Sequence, residues 1–210
     1  MKRSMFAGTG VVATLAILLL GVAGTSAQVT LKGDAKGWNE IKAAWGKLPT
    51  LKSYRFKIVS KEMSGTMTVV APDRLQMIMS VEGASSESIT VGQNTRFRQG
   101  NGAWQCGPSG GIGDLMKPEM FAIGENEEPG VREEITVTRG AAVAIEGVQT
   151  QSYTVITKRP DEVERTRIFI ETASGLPKRI EMLDEAGGTR QTVTVSDVNA
   201  SITIVLPACK

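Results

Sequence analysis

Across 210 residues, 24 lysines and arginines face 22 aspartates and glutamates, with no histidine and only two cysteines. Apart from Lys2 and Arg3 the signs balance and are interspersed, which excludes the clustered excess of cations that binding to nucleic acid requires. Zinc and haem sites lack their usual histidine or clustered thiolate ligands, so no metal and no cofactor is expected.

In chain order, the first segment is "MKRSMFAGTGVVATLAILLLGVAGTSAQ": Lys2 and Arg3, an apolar stretch, then the small residues Thr25, Ser26 and Ala27. That order reads as a secretory signal covering residues 1–27, with cleavage after Ala27. The alternative is an uncleaved anchor, although the strongly apolar part is shorter than the ~20 residues a spanning helix needs. Residues 28–210 then form a single domain, periplasmic or secreted. Its two thiols, Cys106 and Cys209, are expected to pair in an oxidising compartment, and so long a loop makes the bridge worth on the order of 4 to 5 kcal/mol.

"GDAKGWNEIKAAWGKLPT" predicts a helix: Trp38, Ile41, Trp45 and Leu48 fall on one face, Asp34 caps the start and Pro49 ends it. From Lys52 the period becomes two. Tyr54, Phe56 and Ile58 alternate with Arg55 and Lys57, and Leu75, Met77, Met79 and Val81 form the longest run. Further strands are expected at "ESITVG", "TRFRQG", "EITVTRG", "AVAIEG", "QSYTVITK", "RTRIFIET", "KRIEML", "QTVTVSD" and "ITIVLP", about a dozen in all, which is the pattern of an antiparallel meander that curls or closes. Residues 107–130 break the alternation. Their glycines flank Leu115, Met116, Met120 and Phe121, so they read either as a helical lid over an apolar opening or as a surface loop.

Catalytic motifs find no support. "GPSGG" matches a serine-hydrolase elbow in letters, but no histidine exists to act as base. "GIGDLM" lacks the third glycine and the strand-helix setting of a dinucleotide site. Glu125, Glu127, Glu128, Glu133 and Glu134 read as solvated edges, and an enzyme is not expected. Methionines stand out instead: Met67, Met77, Met79, Met116, Met120 and Met182 all lie in apolar contexts, either as core filling or as an adaptable binding surface.

"GTMTVVAPDRLQMIMS", "ITVGQNTRFRQGNGAWQC", "IFIETASGLPKRIEML" and "VSDVNASITIVLP", in that order, resemble the LolA and LppX/LprG group of exported lipoprotein and lipid carriers. The Gly175-Leu176-Pro177 turn is the most telling of these stretches. The resemblance implies a mainly β (α+β) fold: a curved antiparallel sheet forming an unclosed half-barrel, with a helical lid and an N-terminal helix, around a cavity that takes acyl chains. It sets Met77, Met79, Ile89, Val91 and Phe97 on the concave face. The full set of ligand-binding positions it implies is Phe56, Met67, Leu75, Met77, Met79, Ile89, Val91, Phe97, Met116, Met120, Phe121, Ile168, Ile170 and Met182. Gly175 would supply a positive φ, and Pro177 would open a strand. Two departures matter. No cysteine stands directly after the leader to carry an anchor, the first being Cys106, and the arginine that some carriers use inside the cavity would correspond to Arg74 in "PDR", on the strength of that one residue. The implied function is non-catalytic binding of a lipid or acylated lipoprotein for transport to or across the outer envelope. The alternative is a sensory or interaction module of the same fold in envelope stress signalling, with an envelope membrane protein as partner.

Overall fold

A computed structural model describes residues 28–107 and 132–209. The chain opens with strand β1 (Gln28–Gly33), then helix α1 (Ala35–Lys47) and a 3-10 turn (Leu48–Thr50). A first meander follows: β2 (Ser53–Ser60), β3 (Met63–Val70), β4 (Arg74–Val81), β5 (Ala84–Val91), β6 (Asn94–Gln99) and the short β7 (Gln105–Cys106). The second comprises β8 (Arg132–Ile145), β9 (Val148–Arg159), β10 (Glu162–Glu171), β11 (Pro177–Leu183) and β12 (Thr189–Ser196).

All twelve strands join one sheet in the order β1-β8-β9-β10-β11-β12-β2-β3-β4-β5-β6-β7. Its two ends do not pair with each other, so the sheet is an unclosed half-barrel, as expected. The two meanders meet where β12 pairs with β2, setting Val195 opposite Phe56 and Val193 opposite Ile58. Every pairing is antiparallel except that of β1 with β8. β1 lies outside the strands expected from the sequence. The expected strands "EITVTRG" and "AVAIEG" are instead the single β8, whose register against β9 shifts between Arg139 and Ala142.

α1 forms for the reasons its pattern suggests. The Asp34 carboxylate accepts from the Gly37 N–H at 2.9 Å, satisfying one of the free donors of the first turn. Trp38, Ile41, Ala44 and Trp45 are buried against the inner face, where they join Tyr54, Ile135, Val137, Tyr153, Ile168 and Val195 in one core. Polar contacts fix the helix position. Arg139 on β8 pairs with Glu40, and the Tyr153 hydroxyl donates to the same Glu40 carboxylate. At the other end of α1, the Lys47 ammonium donates to the Ser174 carbonyl at 2.7 Å. Gly175 in that turn has φ +66°, and its N–H donates to the Glu171 carbonyl at 2.8 Å. A side chain there would be strained and would meet the Lys47 ammonium. Pro177 begins β11, the position at which a strand can spare a donor.

The last described residues depart from expectation. "ITIVLP" is not a strand; residues 197–209 form an irregular strap across the outer face of the first meander. The Ser53 hydroxyl donates to the Ala200 carbonyl at 2.7 Å, Arg74 donates to the Ile204 carbonyl at 2.7 Å, and Cys209 is bonded to Cys106 with Cα atoms 5.4 Å apart.

Candidate functional site

In an antiparallel sheet directly paired residues share a face, so register assigns every side chain to the inner, helix-bearing face or to the outer one. From Phe56 the inner row runs through Met67 and Met77 to Ser88 and Phe97. From Ile58 it runs through Gly65 and Met79 to Ser86 and Gln99. The inner face of β3–β6 therefore carries Met63, Met67, Met77, Met79 and Phe97, none of them fully buried. Gly65 makes room for this surface, because a Cβ there would collide with the Met79 sulfur, which lies across it.

On the rest of the same face, including the ends of β3 and β4 at Val69 and Leu75, the core under the helix closes the surface. Phe56, Leu75, Ile168, Ile170 and Met182 are all buried, at 8% exposure or less. They stand in or beside the core that α1 covers. The methionine surface is thus the part of the inner face that α1 leaves bare; α1 touches β8, β10 and β11.

Two expected positions face the other way. Ile89 pairs with Gln76 and Arg96, and Val91 with Arg74 and Asn94, so both lie on the outer face. Ile89 is buried at 7%, as is Ile204 of the strap at 2%, and neither belongs to the core under α1. Arg74 likewise points outward to the strap carbonyl, so it is not an inner-face arginine. Met116, Met120 and Phe121 lie outside the described residues.

Sequence reasoning missed the hydroxyl-bearing wall next to the methionines. Ser86, Ser88 and Thr90 of β5 face inward, and Thr90 shares a hydrogen bond of 3.1 Å with Thr95 of β6. It also missed Tyr54, fully buried on the inner face, its ring edge-on to Phe56 at 5.3 Å between centroids. The Tyr54 hydroxyl has no hydrogen-bond partner among the described residues, and burial holds its proton well beyond the ordinary phenol range. The signal available for the wall was the alternation from Ser86 to Val91, in which Ser86, Ser88 and Thr90 take one face and Glu87, Ile89 and Val91 the other.

Charge gathers at the far rim of the covered half. Glu133 is buried and accepts from Arg159 at 2.5 Å. Burial raises the pKa of Glu164 nearby, against the pull of Arg159. A shallow depression of about 320 Å³ lies at the hairpin ends of β2–β3 and β4–β5, lined by Ser60, Lys61, Glu62, Met63, Ser64, Ser80, Glu82 and Gly83. Among the described residues no group of carboxylates and thiols is placed to hold a metal ion, and no helix is long and apolar enough to cross a membrane.

No family model matches the chain, and no curated protein matches it in sequence. Solved structures do. A crystal structure of MucB is similar at a TM-score of 0.41 and 13% identity over 83% of this chain and 62% of MucB, so the chain spans less than two thirds of that protein. An uncharacterized conserved protein from Thermus thermophilus gives 0.42 and 11% over 76% of this chain and 84% of that one. A LolA superfamily protein from Nitrosomonas europaea gives 0.27 and 8% over 79% and 94%. This chain's own plan is an unclosed, almost wholly antiparallel sheet curled about one helix. Each of these likenesses lies below a TM-score of 0.5, so the functional reading rests on the chain's own geometry.

Proposed function

We propose that the protein is a non-catalytic, periplasmic or extracytoplasmic binding protein that holds an acyl chain of a lipid or lipoprotein against the bare half of its inner face, for transport to or across the outer envelope. One observation carries this reading: Met67, Met77, Met79 and Phe97 stand side by side, partly exposed, next to a core that is otherwise sealed. Unbranched thioether side chains repack around a flexible chain at little cost. Burial gives about 0.8 kcal/mol per methylene, so about a dozen carbons supply roughly 10 kcal/mol, within the range of the cost of association.

Native mass spectrometry of protein isolated from its own envelope tests the proposal. Copurified lipid supports the carrier, whereas a bound polypeptide without lipid favours the sensory module. The double substitution Met77→Asp and Met79→Asp is expected to abolish lipid uptake and leave the circular dichroism spectrum unchanged. Global unfolding would instead make those methionines ordinary core.

A further inference from the structure

Charge on the first meander is sorted by face. Arg55, Lys57, Arg74, Arg96 and Arg98 all occupy outer positions, and so does Glu87, as the register of β2 through β6 requires. Four of the cations are engaged there. Arg55 pairs with Asp197 at 2.6 Å and Arg98 with Glu87 at 2.6 Å, while Arg74 and Arg96 donate to backbone carbonyls of Ile204 and Thr95. Along the inner face of β2–β6, among the described residues, no strand position carries a charge. The inward groups there are apolar side chains and a polar fringe of hydroxyls and amides. On the second meander the inward acids near the rim are Glu133, Glu162 and Glu164, and the cation beside them, Arg159, is bonded to Glu133.

A site of this kind penalises an anionic ligand. Moving a carboxylate or phosphate off water costs a great deal unless a cation or several donors receive it. Uncharged polar groups are treated differently. Hydroxyls on Ser86 and Ser88 can donate to or accept from an ester, an amide or a ligand hydroxyl.

Building on the acyl-binding reading, we infer that the inner face of β3–β6 selects acyl ligands whose polar part is uncharged, with the β5 hydroxyls of Ser86 and Ser88 meeting the ester, amide or hydroxyl groups that join or head the chain. Free fatty acids and anionic phospholipid headgroups are disfavoured. The acyl chain lies along the β3 and β4 methionines, and the polar junction turns towards β5.

A matched pair of ligands tests this at constant chain length: monooleoylglycerol and oleate, both presented to the full chain at pH 8 below their aggregation concentrations. Titration is expected to give monooleoylglycerol at least about tenfold tighter binding, since the two differ in head charge and not in burial. Ser88→Lys brings an ammonium to the inner face and is expected to narrow or invert that ratio; Ser86→Lys serves if the first variant is poorly folded. Equal affinity for both ligands in the wild type, or a ratio that neither lysine variant moves, overturns the charge inference and leaves acyl binding standing. Failure to bind either ligand overturns the acyl reading as well.

Discussion

Under α1 the inner face of the second meander and of β2 is sealed, with Ile41, Ile135 and Tyr153 at 1% exposure or less. On β3 and β4 the same face holds Met67, Met77 and Met79 half-exposed. Two buried phenols under the helix are treated differently: the Tyr153 hydroxyl donates a hydrogen bond to Glu40 and accepts one from Arg139 at 3.0 Å, pinning the helix, whereas the Tyr54 hydroxyl has no partner among the described residues.

Three perturbations sharpen this contrast. The largest acts on the bare half from behind. Replacing both Cys106 and Cys209 by serine releases a link between residues 103 apart, and is expected to cost on the order of 4 to 5 kcal/mol by urea denaturation. Hydrogen exchange should rise first in β5 and β6, beneath the strap; a uniform rise across both meanders would contradict the division into halves. Next, Ile41→Ala under the helix is expected to cost about 2 to 5 kcal/mol, since the site is fully enclosed. Met77→Ala should cost about 1 kcal/mol or less while reducing acyl-probe affinity several-fold. Similar stability losses for the two would make the methionine surface ordinary core. The smallest effect concerns Glu164. Its folded pKa is raised by burial, so its ionised form opposes folding at neutral pH, and that opposition fades as pH falls through the folded and then the ordinary carboxylate range. Glu164→Gln is therefore expected to raise the melting temperature at pH 7 and to leave it unchanged at about pH 3; a variant less stable at pH 7 would contradict this.

Much of this fold was legible because alternation is a local property. The helix, its Asp34 cap, the turn at Gly175 and the strands of β2 through β6 follow from spacing and turn residues. Alternation names two faces, but it does not say which is inside. That choice depends on what covers each face, and here both faces of β5 are partly covered. The strap shelters Ile89 from the outside, so the apolar residues of "SITV" point away from the methionines while Ser88 and Thr90 point inward. A rule that sends apolar residues inward therefore misplaces Ile89 and Val91. The strap itself was misread for a related reason. "ITIVLP" has strand composition, but side chains and a disulfide hold it in place, with no ladder of backbone bonds. β1 was missed because its six residues gain a partner only from β8, about a hundred positions later.

The seam between β12 and β2 has a consequence for how the molecule is assembled. Each meander consists of neighbouring hairpins and can zip up from contacts a few residues apart, but Gln191 must find Ser60 across about 130 positions of chain. Joining ends that far apart carries the largest loop-closure entropy in the sheet, and distant contacts of this sort slow folding. The row of Phe56, Ile58, Val193 and Val195 is thus the stitch that turns two separate ribbons into one vessel, and it closes the longest loop in the sheet.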